Sequence, residues 1–323
     1  MHRYMRRRML AVVTIGMVAA LAACGSNSKS AQPSSSPVVT PAPTADSSAT
    51  ASPSESASPT GDAAAGSPFA SDAVPESVAA GYRLVYADEF NGTALGPEWV
   101  YRIEQPAKRA CSPPKPSQVV VSDGSAHLSV SRTDAVPNVT KDCPDGQFWN
   151  AFVATNQNKS FLHGIFAARM KFPAVQGAHG SFWMEPLTPA GADPADPFKH
   201  GVEIDVSEYF GKGFDQSSLT QFVHFDPPGQ KPTRLGGYVK NMSDIFGTGL
   251  PSDDYHVYSV EWTAQEYIFR VDGKETFRTS RALSGVPEYL ILSMLSSDYE
   301  LPKITDDVLP LTTSVDWVRV WQK

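Results

Sequence analysis

The sequence predicts an all-β fold, a sandwich of two antiparallel sheets, and three observations predict it. Short runs rich in Val, Ile, Phe, Tyr and Trp recur from about residue 82 to the C-terminus, separated by clusters of Gly, Pro, Asn and Asp. No long stretch keeps a helical period, so there are no crossover helices to join parallel strands. Two dipeptides, Asp123-Gly124 and Asp272-Gly273, stand between β-prone runs as hairpin turns do.

The elements follow from these signals in order. Residues 119–121 and 127–130 flank the first turn; residues 267–271 lead into the second, with Thr276 and Phe277 beyond it. Residues 314–321 alternate as a half-buried terminal strand does, placing Val315, Trp317 and Val320 on different packing faces. Many strands at short spacing favour a sandwich or jelly roll, but leave the strand order open.

Ahead of this domain the composition changes. Arg3, Arg6, Arg7 and Arg8 precede an apolar run over residues 9–23 that stops at Leu21-Ala22-Ala23-Cys24. The run is shorter than the roughly 20 residues of a spanning helix and sits behind a positive region, as in an export signal. Leu-Ala-Ala-Cys resembles a bacterial lipobox, which implies a signal peptide at 1–23, lipidation of Cys24 and attachment to a membrane. A plain secretory signal cut near Ala23 is the alternative, and both readings place the protein outside the cytoplasm. Residues 24–79 are dominated by Ser, Pro, Ala and Thr, too poor in apolar surface to offset ordering entropy, and read as a tether. Residues 80–323 are long enough for one substantial core and read as a single domain. Residues 1–23 contain four Arg and no acid, so their removal takes the formal charge from −7 to −11, against nucleic acid as a partner. With Cys24 assigned to the lipobox, Cys111 and Cys143 remain in a compartment where disulfides persist, and are expected to pair.

The most informative stretch is Gly201-Val202-Glu203-Ile204-Asp205-Val206-Ser207-Glu208-Tyr209. In a strand Glu203 and Asp205 share one face while Ile204 and Val206 enter the opposite, apolar layer. Glu208 then falls out of register, and a bulge near Val206 and Ser207 returns it to the face of the other acids. Two glutamates leaning together across that strand bring their carboxyls within about 5 Å, the spacing of retaining glycoside hydrolysis. One carboxylate attacks the anomeric carbon; the other donates a proton to the leaving oxygen and later activates water. A negative Asp205 between them discourages simultaneous ionisation. The same three acids would also suit Ca²⁺ or a solvated sheet face.

The spacing resembles the Glu-x-Asp-x-x-Glu signature of glycoside hydrolase family 16, the laminarinase-like group. Leu84-Val85-Tyr86-Ala87-Asp88-Glu89-Phe90-Asn91-Gly92 is similar to that family's opening strand, and His163-Gly164-Ile165-Phe166-Ala167-Ala168-Arg169-Met170-Lys171 to its Tyr-Gly-Arg-Phe-Glu-Ala-Arg segment. Ser181-Phe182-Trp183-Met184, Tyr258-Ser259-Val260-Glu261-Trp262 and Val315-Asp316-Trp317-Val318-Arg319-Val320 resemble later strands, so the likeness spans residues 82–322. It implies a concanavalin A-like β-jelly roll with a concave sugar cleft, Glu203 as nucleophile, Asp205 as assisting acid and Glu208 as general acid/base.

The resemblance also implies a polysaccharide substrate, most simply a β-1,3- or mixed-linked glucan cut internally, with transglycosylation as a variant outcome. No cofactor is required. A non-catalytic glycan-binding surface lipoprotein is the alternative of another class, argued against by the intact acids. Trp183, Trp149, Tyr209 and Phe225 are candidates to stack on sugar rings. His224 resembles a histidine lining the cleft near the acid/base. His179 stands where the family usually keeps a tryptophan and is a second candidate subsite histidine. The family often carries a structural calcium, for which Glu89 and Asp316 hold the matching positions. A monomer is expected.

Overall fold

The computed structural model describes residues 81–103, 109–155 and 159–323. The export signal, Cys24 and the tether to residue 79 lie outside the described residues. The described chain forms seventeen strands. In order they are β1 (Arg83–Asp88), β2 (Val100–Tyr101), β3 (Val119–Ser122), β4 (Ser125–Arg132), β5 (Phe148–Trp149), β6 (Ala151–Ala154), β7 (Ser160–Phe161), β8 (Gly164–Lys171) and β9 (His179–Pro186). They continue with β10 (Glu203–Tyr209), β11 (Leu219–Phe225), β12 (Thr233–Tyr238), β13 (His256–Trp262), β14 (Tyr267–Val271), β15 (Lys274–Thr279), β16 (Glu288–Leu295) and β17 (Leu311–Gln322). The helices among the described residues are short, as at Pro197–His200 and Met242–Phe246.

Two antiparallel sheets result. One runs β15-β14-β13-β8-β17-β4-β3, with β1 added on β17 and β5 on β4; the other runs β12-β11-β10-β9-β16-β6-β2, with β7 on β16. Both dipeptide turns form. Asp123 and Gly124 connect β3 to β4 with φ of 53° and 73°, and Asp272 and Gly273 connect β14 to β15 with φ of 48° and 73°. Positive φ at both central residues is the primed-turn geometry that matches strand twist, which is why Asp-Gly is legible there.

The core lies between the sheets. Phe166, Ala168, Met170 and Val260 from one sheet share a cluster with Phe182, Met184, Ile204, Val206, Leu290 and Leu292 from the other, all fully buried. Each such large side chain contributes roughly 1.5–3 kcal/mol by leaving water. Because strand side chains alternate, burying Ile204 and Val206 inward forces their neighbours in β10 to the outer face of their sheet. Val315 and Val320 face this core, whereas Trp317 packs with Ile165, Ala167 and Val257 on the outside of the other sheet. Cys111 and Cys143 form a disulfide with Cα atoms 5.6 Å apart.

Candidate active site

The site is built by one irregularity in β10. Against β9, Asp205 pairs with Trp183 and Ser207 with Phe182, so two steps on β10 meet one on β9. Against β11, Asp205 pairs with Phe222 and Glu208 with Thr220, three steps against two. One extra residue is thus accommodated at Val206–Ser207, a β-bulge. Beyond it the alternation resumes one place out of phase: Tyr209 rather than Glu208 enters the core, and Glu208 rejoins the outer face. A bulge frees backbone groups from the ladder, and here the Val206 carbonyl accepts from Nε2 of Gln221 at 3.1 Å. Gln221 sits opposite the bulge on β11, is 1% exposed, and its Oε1 contacts the Thr276 hydroxyl. That amide satisfies the polar group the bulge would otherwise leave buried and unpaired.

Glu203, Asp205 and Glu208 line a pocket of about 280 Å³ together with Arg102, Arg109, Phe152, His179, Ser181, Trp183, Glu185 and Ser293. A larger cavity of about 440 Å³ opens elsewhere, near Tyr82, His163 and Trp262, but no Asp or Glu side chain lines it, so volume does not mark the reactive centre. His224, paired with Glu203 across β10 and β11, places Nε2 3.0 Å from Oδ2 of Asp205. Thr220 donates to Oε2 of Glu208 at 3.1 Å.

Burial dominates the electrostatics. The Glu203 carboxyl is pushed up to about 8 by desolvation, then by the adjacent Asp205 charge; His224 opposes the rise, while Glu185 and Glu208 add to it. Asp205, only 4% exposed, is raised well above the carboxylate range by desolvation, with Glu208 and Glu185 reinforcing it. Desolvation lowers His224, favouring its neutral form. Two acids that interact this strongly lose their protons as a pair, not as individuals.

The other sequence expectations divide. Trp183 lines the pocket, stacks on Phe152 at 5.8 Å between ring centroids, and donates from Nε1 to Ser293. His179 also lines it, 4% exposed, with Nδ1 2.9 Å from Glu300 and its ring against Phe210. Tyr209 is corrected: the bulge that turns Glu208 outward turns Tyr209 inward, where it is 1% exposed and stacked on Phe172. Phe225 is likewise a core residue. Trp149 is corrected too, because β5 pairs with β4 of the other sheet, and its ring lies under the Lys115 ammonium at 4.6 Å, away from the pocket. The expected calcium ligands do not fit a shared ion. Glu89 is bound through both oxygens by Arg319 at 2.7 and 2.9 Å, and Asp316 by Arg169 at 2.6 Å, so each carboxylate is already neutralised by its own guanidinium. Among the described residues, the group of three potential metal-binding side chains that converges, with ligand atoms within 4.8 Å, is Glu203, Asp205 and His224.

Sequence reasoning missed Glu185, Arg102, Arg109, Thr220, Gln221 and Glu300. Glu185 had a signal: Ser181, Trp183 and Glu185 alternate with buried Phe182 and Met184. The arginines and Glu300 come from irregular segments with no local periodicity.

Comparison with known proteins agrees with this geometry. A glucan endo-1,3-β-glucosidase A1 from Niallia circulans is 26% identical over 282 residues, covering 76% of this chain and 38% of the relative. A keratan-sulfate endo-1,4-β-galactosidase from Sphingobacterium multivorum is 27% identical over 173 residues, covering 50% of this chain and 37% of the relative. The chain therefore spans less than two-fifths of either relative's length. In fold it is similar to the laminarinase catalytic domain of Thermotoga maritima (TM-score 0.58, 19% identity, 75% of this chain and 98% of that one). It is equally similar to the endo-β-1,3-glucanase of Pyrococcus furiosus (TM-score 0.58, 19% identity, 75% and 94%). The model of glycosyl hydrolases family 16 matches residues 115–298, more than half of the sequence, and the chain belongs to that family.

Proposed function

We propose that this protein is an endo-acting hydrolase of a β-linked polysaccharide, in the first place a β-1,3- or mixed-linked glucan, working with retention of anomeric configuration. The observation that carries the reading is the β10 bulge, which brings Glu203, Asp205 and Glu208 to one pocket over an apolar layer. The relatives named as glucan endo-1,3-β-glucosidase and β-glucanase support the substrate class.

In the proposed reaction the Glu203 carboxylate attacks the anomeric carbon as the protonated Glu208 carboxyl gives its proton to the departing glycosidic oxygen. A covalent glycosyl-enzyme forms, and the shortened glycan leaves. Glu208, now a carboxylate, removes a proton from water as that water displaces Glu203. Asp205, held at Oδ2 by Nε2 of His224, lies between the two glutamates, discourages their simultaneous ionisation and orients the nucleophile. Export and anchoring through Cys24 belong to the same proposal and rest on the N-terminal pattern, with the extracytoplasmic face of the membrane as the location.

Reducing-sugar release from laminarin, lichenan, agarose, carrageenan and xyloglucan tests the reading beside Glu203→Gln. Loss of the nucleophile is expected to lower the rate at least about a thousandfold. Unchanged activity in the variant refutes the assignment, and tight binding without release from any substrate favours a glycan-binding role.

A further inference from the structure

The proposed reaction moves charge along β10. As Glu203 forms its bond to the anomeric carbon it loses its negative charge, and as Glu208 gives its proton to the departing glycosidic oxygen it acquires one. The net charge of the pocket is unchanged, but its negative centre passes from the Glu203 end to the Glu208 end. A positive group already in place at the second end stabilises that shift without reorganising.

His179 stands there. Glu208 faces Ser181 across β10 and β9, and His179 lies two residues from Ser181 on the same side of β9. Its Nδ1 is held by the two carboxylate oxygens of Glu300 at 3.0 and 2.9 Å, so it is with the rest of its ring that His179 lines the pocket. Glu300, 3% exposed, is fixed in turn by the backbone N–H of Ser297 at 2.8 Å and stands outside the pocket's lining. Asn150 ties this turn to the segment that carries Arg109: its side chain accepts from the Ser296 backbone N–H at 3.0 Å and donates to the Ser112 carbonyl at 2.7 Å. Arg109 lines the same pocket, and the groups that act on its guanidinium are Glu300, Tyr299, Glu208 and Asp298. Burial opposes a charge on His179, as Arg109 does more weakly, but Glu300 and then Glu208 outweigh them and raise the imidazole above its usual value.

We propose that His179, locked by Glu300, is a positioning residue for the acid/base step, its imidazolium facing the carboxylate that Glu208 becomes as the leaving group departs. The inference rests on the hydrolase reading. The dyad is neutral as a whole, yet it is polar in the direction the reaction needs, with the cation on the pocket wall and the anion behind it. Glu300 fixes which ring nitrogen carries its proton toward the turn and sustains the charge on the ring, a task that a lone buried histidine could not perform against desolvation. Phe210, packed on the imidazole at 4.8 Å between centroids, holds the ring in that orientation.

The test compares leaving groups. For the full chain, His179→Gln and Glu300→Gln, kcat/KM is measured with 4-methylumbelliferyl and 2,4-dinitrophenyl β-laminaribiosides. Methylumbelliferone departs with the help of a proton from Glu208, whereas dinitrophenolate departs without one. His179→Gln should lose at least about tenfold with the first substrate, a share of the roughly 10²–10⁴ that general acid catalysis contributes, and less than about threefold with the second. Glu300→Gln should show the same selectivity at about pH 7.5 and recover toward wild type at about pH 5.5, where the imidazole charges without its partner. The defect of His179→Gln should not recover in this way. A merely structural role would impair both substrates alike at either pH. Melting curves establish that the variants fold, and if one does not, the other carries the leaving-group comparison alone. Equal losses on the two substrates, or no loss on either, overturn the inference and leave the hydrolase reading intact. A wild type that releases neither phenol overturns the hydrolase reading, and the inference falls with it.

Discussion

Replacing Glu203 by Gln should stabilise the protein, and by an amount that grows with pH. The Glu203 carboxyl is raised from its ordinary value of 4.5 to about 8, first by burial and then by Asp205. A group raised on folding contributes stability that is fully present below its unfolded value and is lost as pH climbs through the folded one. The wild type therefore loses stability between about pH 4.5 and 8, as burial opposes the charge on Glu203. Taken alone, a shift of this size corresponds to a ceiling of about 5 kcal/mol above pH 8. Sharing one proton with Asp205 reduces it, to about 2–3 kcal/mol. Gln keeps the shape and removes the titration. For a domain of this size each kcal/mol moves the melting temperature by about 2–4 °C. Scanning calorimetry should thus show the variant level with the wild type near pH 4.5 and roughly 5–10 °C above it at pH 8.5. An offset that is the same at both pH values, or a variant less stable than the wild type at pH 8.5, refutes the argument that the site stores its charge at the expense of the fold.

Three further outcomes are expected. Gln221→Leu removes the amide that satisfies Val206 at the bulge; kcat should fall by about tenfold or more, while melting drops by the cost of one unpaired buried carbonyl, about 1–3 kcal/mol, and retained kcat would show that the bulge holds itself. Paired Cys111→Ser and Cys143→Ser substitutions release a crosslink with a sequence separation of 32, costing about 3–4 kcal/mol, to be read from denaturant midpoints in the absence of reductant. Glu300→Gln weakens the buried pair with His179, whose imidazole is held on balance above its usual value by Glu300 and then Glu208, against desolvation. By the sign of that shift, the loss of melting temperature should be larger at pH 5 than at pH 9.

The strand content, both hairpin turns and the outward face of β10 were legible because they rest on local rules: period-two alternation, and positive φ at Asp-Gly. The bulge was legible for a subtler reason. Only an inserted residue reconciles an apolar Ile204 and Val206 with three acids at positions 203, 205 and 208. Tyr209 shows the limit of reading by proximity, since the same insertion that turns Glu208 outward turns the next side chain inward. Trp149 and the Glu89–Asp316 pair show another limit. Sheet membership and the arginine that reaches a given carboxylate are properties of non-local packing, and no spacing along the chain encodes them.

Apolar layer and acidic face are two consequences of one pattern. The side chains that anchor β10 to the core, Ile204, Val206 and Tyr209, are buried almost completely, so the strand cannot slip or flatten without exposing them. That anchoring lets the opposite face tolerate acids whose ionised forms are disfavoured by burial. The bulge locates the tolerance: it places the mismatch between two- and three-residue steps at Val206–Ser207, between Asp205 and Glu208, and Gln221 absorbs the backbone polarity it exposes. A regular strand of the same composition would bury Glu208 and expose Tyr209, exchanging an aromatic core contact for an unpaired internal carboxylate. The fold and the reactive geometry are therefore selected by the same free-energy difference, and a variant that straightens β10 should lose both together.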